Sequence, residues 1–294
     1  MLQFLTEIFC YIDDFCKWLE QEYESYLLTN SKVKKPLWNS SMSLSEVMTI
    51  LVLFHNSHYR DFKTFYLANV CIDHKNTFRL VSYTRFVELI KLAMMPLFIL
   101  AKGLRGEETG IYIVDSTAIE VCNIKREKIN KVFKGIAKKG KTTMGWFFGF
   151  KLHLIINNKG EIMNFHITTG NISDINPVLK LTDGLKGWLF GDKGYISSTL
   201  LDTLKENLIE IFTKVKKNMK EKFMTPIQKS ILKKRGVVET VIGQLKGICQ
   251  IEHSRHRSPV NAMTNIAAGL VAYFFKERKP SIKISAKYVL GYGK

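Results

Sequence analysis

Two aspartates follow short apolar runs in the same way, and this repetition is the first sign of chemistry in the chain. Asp115 follows the β-branched run 111–114, and Asp192 follows the apolar run 187–191, which enters a Gly-Asp-Lys-Gly turn. The ends of such strands are where α/β sheets hold their reactive groups. An aspartate in this position is also a common helix cap or turn former, so each aspartate needs partners before catalysis follows.

A third carboxylate, Glu239, lies between two basic residues in a helical pattern. Arg235 precedes it by four positions and Lys246 follows it by seven. These separations would stack the three side chains on one face of a helix over 235–249, with apolar residues packed against the sheet. Such a face offers a carboxylate flanked by cations. The alternative is an exposed helix that carries surface salt bridges.

Hydrophobic periodicity indicates which elements would hold these residues. Helical spacing dominates the first hundred residues, and strand-like alternation begins after Gly103 and Gly110. Helices are predicted over 2–28, 43–54, 60–71, 82–100, 174–184, 197–207, 235–249 and 262–275, and strands over 111–114, 147–156, 161–168, 187–191 and 209–213. The order predicts an α/β fold, a mixed sheet with helices on both faces, preceded by a helical N-terminal region. The aromatic residues 146–148 are expected to pack in the core or within a hairpin rather than stack on bases.

The charge of the chain favours a polyanionic partner. Its 294 residues carry a formal net charge of +18, whereas residues 1–30 are net acidic. The segments 125–141 and 214–235 hold eight and nine basic side chains, against one glutamate each. Nucleic acid is the first partner that this excess suggests, and an anionic membrane surface is the second. Solvated loops or helix faces are the alternative for such charge runs.

Cysteine usage and hydropathy indicate a soluble protein of a reducing compartment. The five cysteines are odd in number and have no Cys-x-x-Cys or zinc-type spacing, so neither a disulfide framework nor a structural zinc site is expected. No basic segment followed by an apolar block marks a signal peptide, and the longest apolar stretches are too short or too interrupted to span a bilayer. We therefore expect a cytoplasmic protein with no membrane partner.

Further residues could bind nucleic acid or support the carboxylates. Segment 79–91, which contains Arg85, has the pattern of the last helix of a small helical DNA-binding unit, and a plain helical domain explains it equally well. His153 lies between two leucines of a predicted strand, where a packed histidine is more common than a catalytic one. Asn171 and Asp174 are expected to organise a turn and a helix start, and Asp174 could also lie near the catalytic carboxylates.

In combination, these motifs resemble those of the DDE transposases of bacterial insertion sequences, closest to the IS982 group and related to the IS4-like enzymes. The matching blocks are Ile-Val-Asp115-Ser-Thr, Gly-Phe-Lys-Leu-His153, Thr-Gly-Asn171-Ile-Ser-Asp174, Phe-Gly-Asp192-Lys-Gly-Tyr195 and Val-Val-Glu239-Thr-Val-Ile-Gly-Gln-Leu-Lys246, spread over about residues 40–275. Their order and joint occurrence are more specific than any one block. Leu232 stands where the wider IS4-like signature has a tyrosine, so no role for that tyrosine is carried over.

The resemblance implies an RNase H-like catalytic core in which Asp115, Asp192 and Glu239 hold two divalent metal ions. Hard oxygen ligands suit Mg²⁺, with Mn²⁺ as a substitute. Two ions about 3.5–4 Å apart can activate the attacking oxygen and stabilise the leaving one. The implied reaction is phosphoryl transfer on double-stranded DNA. The enzyme would cleave at the terminal inverted repeats of the element and then join the 3′-OH to target DNA.

The resemblance also implies roles for other residues and regions. DNA phosphates would be bound by basic side chains, namely Arg235, Lys246, Lys193, Lys138, Lys139, Lys141 and Arg85. The metal ligands would be held in position by neighbouring residues that do not bind the metal, namely His153, Asn171 and Asp174. Region 1–104 would bind DNA ends, 105–278 would be the catalytic domain and 279–294 a polar tail. Joining two ends implies a homodimer or a larger assembly on DNA, associated with the bacterial nucleoid.

Two other functions remain open from the sequence. An RNase H-like nuclease would cut DNA without joining it, and strand transfer of a pre-cleaved end would separate it from a transposase. A catalytically inactive DNA-binding or repressor derivative is the other possibility. The intact set of Asp115, Asp192 and Glu239 argues against it.

Overall fold

The computed structural model of the chain describes residues 2–30, 38–214, 223–252 and 256–283. The first part of the second basic segment and most of the polar tail lie outside these residues. No helix in the described part of the chain is both long and apolar enough to cross a membrane.

The described residues form ten α-helices and six strands. In chain order the helices are α1 (Leu2–Asn30), α2 (Leu44–Asn56), α3 (Phe62–Thr64), α4 (Tyr83–Leu92), α5 (Met94–Gly103), α6 (Val178–Leu181), α7 (Ser198–Glu206), α8 (Pro226–Lys234), α9 (Val237–Gly247) and α10 (Pro259–Phe274). The strands are β1 (Ile111–Cys122), β2 (Lys138–Thr142), β3 (Gly145–Asn157), β4 (Ile162–Thr169), β5 (Gly187–Gly191) and β6 (Ile209–Thr213). A π-helical segment, Phe65–Asp73, continues α3, and 3₁₀ turns follow β1 (Ile124–Ile129) and β5 (Lys193–Tyr195).

Two compact units divide the chain, and the helical unit is not continuous in sequence. It comprises the described residues of Met1–Gly103, Gly247–Ile251 and His256–Phe275. The sheet unit comprises the described residues of Leu104–Lys246, Glu252–Arg255 and Lys276–Lys294. Helix α10 therefore groups with the N-terminal helices, which differs from the expected catalytic region of 105–278.

Local sequence signals account for helix boundaries in the helical unit. Ser43 and Glu46 form a capping box at the start of α2: the Glu46 N–H donates to Ser43 Oγ (3.0 Å), and the Ser43 N–H donates to Glu46 Oε2 (2.6 Å). The single helix predicted over 82–100 is two helices, α4 and α5. The chain breaks between them because Pro96 has no N–H to donate into the preceding turn.

The six strands form one mixed sheet. Its order is β2-β3-β1-β5-β6, and β4 also pairs with β3. Strand β3 is antiparallel to β1, β2 and β4, whereas β1, β5 and β6 run parallel. The predicted fold class is confirmed: an RNase H-like mixed sheet surrounded by helices, with a helical N-terminal region.

Three elements of the sheet unit differ from the sequence prediction. Strand β1 does not end before Asp115, because antiparallel pairing with β3 extends it to Cys122. Strand β2 forms within the first basic segment, along the part of β3 that extends past β4. Helix α6 is shorter than the predicted 174–184, because the chain forms turns before Val178.

Alternate residues of the parallel strands form the core beneath α6 and α7. Side chains of β1, β5 and β6 meet both helices in one buried cluster, which includes Tyr112, Val114, Val178, Leu181, Leu189, Leu200, Leu204, Ile209 and Ile211. The alternating positions Phe190 and Phe212 stack on each other, with their ring centroids 5.3 Å apart. Burial of both faces explains the nearly continuous apolar runs of β5 and β6. These packed strands hold the aspartates of the site.

Candidate active site

The parallel pairing of β1 with β5 brings the two predicted aspartates to neighbouring positions. Ile113 pairs with Phe190 in the last step of this ladder. Asp115, in β1, and Asp192, which directly follows β5, each lie two residues beyond this last pair. Neighbouring strands of a sheet are about 4.8 Å apart, so continuation of the register would set the two aspartates side by side. The repeated pattern of an apolar run and an aspartate thus corresponds to two adjacent parallel strands.

Asp115 is partly buried and lies among charges of both signs. Its Oδ1 accepts a hydrogen bond from the Ser116 N–H (2.8 Å). Burial is the main reason that the pKa of Asp115 rises to about 6. The nearby carboxylates of Glu239 and Asp174 also raise this pKa, while the Ser116 N–H and the Arg235 guanidinium oppose the rise. Helix α9 therefore brings Glu239 close enough to Asp115 to repel its negative charge.

Arg235 connects Asp192 to the helix that carries Glu239. It lies in the short junction between α8 and α9, and α9 begins only at Val237. The helix predicted over 235–249 is therefore shorter than expected, and Arg235 lies before its first residue. From the junction, Arg235 Nη2 donates to Asp192 Oδ1 (3.2 Å), and the arginine side chain is only 17% exposed.

The other predicted cations near the motif differ in their surroundings. Lys246 Nζ lies 3.0 Å from Glu252 Oε2, and Glu252 Oε1 accepts a hydrogen bond from the Glu120 N–H (2.8 Å). Lys193 is exposed in the 3₁₀ turn that follows Asp192. Glu252 is a partner that the sequence motifs do not reveal, because it lies outside every one of them.

Asp174 is the centre of a polar network beside Asp115. Its Oδ1 accepts hydrogen bonds from Ser116 Oγ (2.8 Å) and from Lys151 Nζ (3.0 Å). Lys151 Nζ also donates to the Ile172 carbonyl (3.1 Å). Because Lys151 is only 8% exposed, the carboxylate of Asp174 supplies the counter-charge that a buried ammonium requires. Ser116 links this network to Asp115 through its own N–H.

Sequence reasoning did not single out Lys151 or Ser116 as site residues. The signal for Lys151 was present: it is a lysine within the apolar stretch of β3, where an unpaired charge would be costly. A buried lysine in this position predicts a carboxylate partner nearby. Ser116 had no such signal, because a serine after an aspartate is common in turns and strands alike.

His153 is fully buried in β3, next to the same network. Its Nε2 lies 2.8 Å from Thr168 Oγ1, and its Nδ1 lies 3.8 Å from Asp174 Oδ1, beyond hydrogen-bond distance. Burial lowers the pKa of His153 to about 4, so the ring is neutral near pH 7. Lys151 rather than His153 therefore balances the charge of Asp174.

Tyr195 is a buried aromatic residue near the aspartates of the site. Burial, and then the nearby charges of Asp115, Asp174 and Asp192, raise the pKa of Tyr195, so its hydroxyl stays protonated. The ring also explains Gly191, because a Cβ there would lie 3.0 Å from Val114 Cγ1 and 3.1 Å from Tyr195 Cδ2. Gly191 thus accommodates the packing of two side chains of the domain itself.

The remaining predicted site residues lie on strand β2, in a turn and in the helical unit. Lys138, Lys139 and Lys141 are exposed on β2. Asn171 is exposed and its Oδ1 accepts a hydrogen bond from Thr169 Oγ1 (2.8 Å), as expected for a turn residue. Arg85, in the helical unit, forms an ion pair with Glu88 at 2.8 Å.

This geometry can be compared with known families. A family model described as a transposase DDE domain matches residues 105–259, which is more than half of the chain. The chain belongs to the DDE transposase family. The matched segment of this transposase includes Asp115, Asp192 and Glu239. Among curated proteins, none matches the chain.

Two solved transposase structures are similar to this transposase in outline. The cryo-EM structure of a piggyBac transposase synaptic complex with hairpin DNA is 10% identical, with a TM-score of 0.46, and the match covers 93% of this chain and 74% of that chain. The crystal structure of the Mos1 strand transfer complex is 11% identical, with a TM-score of 0.25, and the match covers 80% of this chain and 84% of that chain. At such values the likeness assigns no residue roles.

DDE transposase domains generally use divalent metal ions, and the donor chemistry of this domain fits one. The side chains around Asp115 offer hard carboxylate oxygens. A cation would stabilise the charged form of Asp115 against the burial and the carboxylate repulsion that raise its pKa. Across residues 2–30, 38–214, 223–252 and 256–283, however, no three His, Cys, Asp or Glu side chains form a ready-made metal cluster. Asp192 Oδ1 is bonded to Arg235, so the guanidinium and a cation would compete for this oxygen.

Proposed function

We propose that this DDE transposase is of the IS982 type and moves an insertion sequence by cleaving at its terminal inverted repeats and joining the 3′-OH to target DNA. The observation that carries the proposal is the register of β1 and β5, in which Asp115 and Asp192 each lie two residues beyond the last pair of the parallel ladder. Electrostatic repulsion between Glu239 and Asp115 supports the same site.

In the proposed mechanism, Asp115, Asp192 and Glu239 would hold two Mg²⁺ ions, for which Mn²⁺ could substitute. When bound, the ions would supply positive charge that favours deprotonation of the attacking hydroxyl group and offsets the charge of the leaving oxygen. The packed strands fix the two aspartates, so the protein need not reorganise them during the reaction. The same carboxylates would serve first with water and then with the 3′-OH as the attacking group.

Arg235 would have a double role in this mechanism. Without metal, its guanidinium neutralises Asp192 at the strand end. Once a cation occupies the carboxylate, the guanidinium is available to a DNA phosphate, which it can bind through two parallel hydrogen bonds. Lys193, exposed in the turn after Asp192, and Lys246 would add phosphate contacts.

The network of Asp174, Lys151 and His153 would fix the position of the proposed metal ligands without binding the metal itself. Ser116 transmits this support, because its hydroxyl bonds to Asp174 while its N–H bonds to Asp115. The network thereby fixes the position of β1 at the reacting end. Asn171 would stabilise the turn from which Asp174 projects.

The N-terminal helical region, residues 1–104, would bind the inverted repeats, with Arg85 contacting phosphate after release from Glu88. Residues 105–278 would carry the catalytic activity, apart from α10, which packs in the helical unit. Because two ends must be joined, the active form on double-stranded DNA would be at least a homodimer. We expect it to associate with the bacterial nucleoid.

A strand-transfer assay tests the proposal. Purified full-length protein is mixed with Mg²⁺, a pre-cleaved element end bearing a 3′-OH, and supercoiled plasmid. Joined products are expected, and they should be absent when the 3′ end carries a dideoxynucleotide. Cleavage of end DNA without any joined product would instead support the nuclease, the second candidate, whose chemistry the same carboxylates would serve. Binding with neither activity would indicate a repressor.

A further inference from the structure

We propose that the β2–β3 hairpin is a binding surface for unpaired DNA bases, on which Trp146 is the stacking platform. The inference rests on the proposed function and deepens it, because it names the form of DNA that this part of the transposase binds. Cleavage and joining generate strand ends at which bases are no longer held in a duplex.

The first observation is the exposure of Trp146. Its side chain is 55% exposed, whereas its neighbours Phe147 and Phe148 are buried in the sheet unit. Met144, in the turn of the hairpin, is 95% exposed. Of the two expected positions for residues 146–148, core or hairpin, Trp146 therefore occupies the hairpin and not the core. A large aromatic ring left half open at a hairpin end offers a flat face to a ligand.

The second observation is the pair of lysines beside the ring. Lys141 pairs with Trp146 in the strand register, and Lys139 lies on the same face two residues away. The Nζ atoms of Lys139 and Lys141 lie 4.8 Å and 5.5 Å from the centroid of the indole ring, within cation–π distance. Two exposed lysines thus place their positive charges over the indole ring.

The third observation is that the hairpin is held in place. A Cβ on Gly140 would lie 2.2 Å from the Gly170 carbonyl oxygen, so β2 packs closely against the chain that follows β4. In the turn, Thr142 Oγ1 donates to the Gly145 carbonyl (3.3 Å) and accepts from the Met144 N–H (3.2 Å). Binding would therefore cost little ordering of the backbone.

These features fit unpaired DNA better than other partners. Aromatic rings that alternate with cations bind single strands, because bases stack on the rings while the cations contact phosphates. The interior of an intact duplex offers no free base face to Trp146, because its bases are stacked on each other. The segment 125–141 is strongly positive, and this charge complements the negative phosphates of a nucleic acid.

The test compares two fluorescein-labelled probes without divalent metal: a blunt duplex, and the same duplex with a short unpaired tail. Trp146→Ala should weaken binding of the tailed probe by about tenfold or more, as expected for the loss of one stacked base, and should leave blunt-duplex binding within about twofold. Trp146→Phe should retain most of the preference. Leu201→Ala is the control, because Leu201 is an exposed apolar residue (36%) on α7 of the same unit.

Several outcomes would overturn the inference. Equal loss on both probes, no loss on either, a matching loss in Leu201→Ala, or wild-type protein that binds neither probe would each do so. Strand transfer is measured separately on wild-type protein. If wild-type protein fails to join ends while Trp146→Ala still loses the tailed probe selectively, the transposase proposal fails and the base-binding surface stands. If wild-type protein joins ends and Trp146→Ala binds both probes normally, the base-binding surface fails and the transposase proposal stands.

Discussion

At the scale of single residues, the three aspartates of the site are balanced in different ways. Asp192 is neutralised by Arg235, and Asp174 is neutralised by the buried Lys151. Asp115 has no comparable ion pair among the described contacts, and two carboxylates repel it. Added positive charge would therefore stabilise the surroundings of Asp115 most, and Asp115 is the group around which a cation would be expected to settle.

Asp192→Asn should abolish Mg²⁺-dependent cleavage and leave binding of element-end DNA nearly intact. The amide keeps the shape of the side chain but loses the charge of the proposed metal ligand. Because even residues behind metal ligands cost 10–100-fold when changed, the rate should fall by more than about 100-fold. Cleavage of a labelled end is measured with Asp202→Asn, an exposed aspartate of α7, as control. Normal cleavage by Asp192→Asn would disprove the ligand assignment.

Asp174→Asn should destabilise the domain more than Lys151→Met does. The first change leaves a buried ammonium unpaired, whereas the second leaves a carboxylate whose side chain is 39% exposed and can be hydrated. We expect losses in the free energy of unfolding of about 3 and about 1 kcal/mol, respectively. Urea unfolding at neutral pH measures both. The double variant should be more stable than Asp174→Asn alone, and the reverse ranking would mean that Asp174 does not balance the charge of Lys151.

At the scale of elements, local sequence patterns predicted the strands that have apolar runs buried in the core. They did not predict a strand that forms only because it pairs with the edge of another strand. Strand β5 was predicted over 187–191 and occupies the same residues, because its apolar run is buried on both faces. Strand β2 has no apolar pattern and depends on the edge of β3, a contact that no local pattern encodes. Arg235 shows the same limit: its spacing from Glu239 suited a helix, yet the chain turns between α8 and α9. The bond to Asp192 therefore depends on tertiary structure.

Gly269→Ala in α10 should destabilise the helical unit despite the better helix propensity of alanine. An added Cβ would lie 2.4 Å from Ile251 Cγ2 and 3.1 Å from the Cys249 carbonyl oxygen. Overpacking of this kind costs about 1–3 kcal/mol. Thermal unfolding is compared with Gly243→Ala in α9, where no atom lies within 4 Å of the new Cβ. The control should gain about 0.5–1 kcal/mol, and a similar gain for Gly269→Ala would contradict the close packing of α10.

At the scale of the whole molecule, the charge of +18 predicts that the affinity for DNA falls as the salt concentration rises. Each neutralised phosphate releases counterions, so the affinity for end DNA should fall by about a thousandfold between roughly 50 and 200 mM salt. Fluorescence anisotropy measures the slope. Replacing Lys139 and Lys141 by Gln should lower that slope by about two, and a flat salt response in the wild type would contradict phosphate binding by the basic segments.

Stability should fall as the pH is lowered from 6.5 towards 4, in part because of His55. Complete burial lowers the pKa of His55 to about 4 from the usual 6.5, and its Nδ1–H donates to the Cys249 carbonyl. Between these values the unfolded chain binds a proton that the folded chain excludes, so His55 can cost up to about 3 kcal/mol of unfolding free energy. His153 adds to this effect.

Unfolding in urea across this pH range is compared for wild type, His55→Asn and His58→Asn. Asparagine keeps an N–H donor and does not titrate, so His55→Asn should be less sensitive to acid. His58 is exposed, and its replacement should leave the slope unchanged. An unaltered slope in His55→Asn would show that this histidine is not the group responsible.

The discontinuous helical unit has a consequence for how the protein is made. Residues up to Lys246 contain nearly all of the sheet unit, whereas the helical unit needs α10, which ends at Phe274. During translation, the sheet unit can therefore fold before the helical unit is complete. The first helices are synthesised earlier, but α10, which packs with them, is synthesised last. A nascent chain interrupted after α9 would contain the carboxylates Asp115, Asp192 and Glu239 of the sheet unit but would lack a completed helical unit.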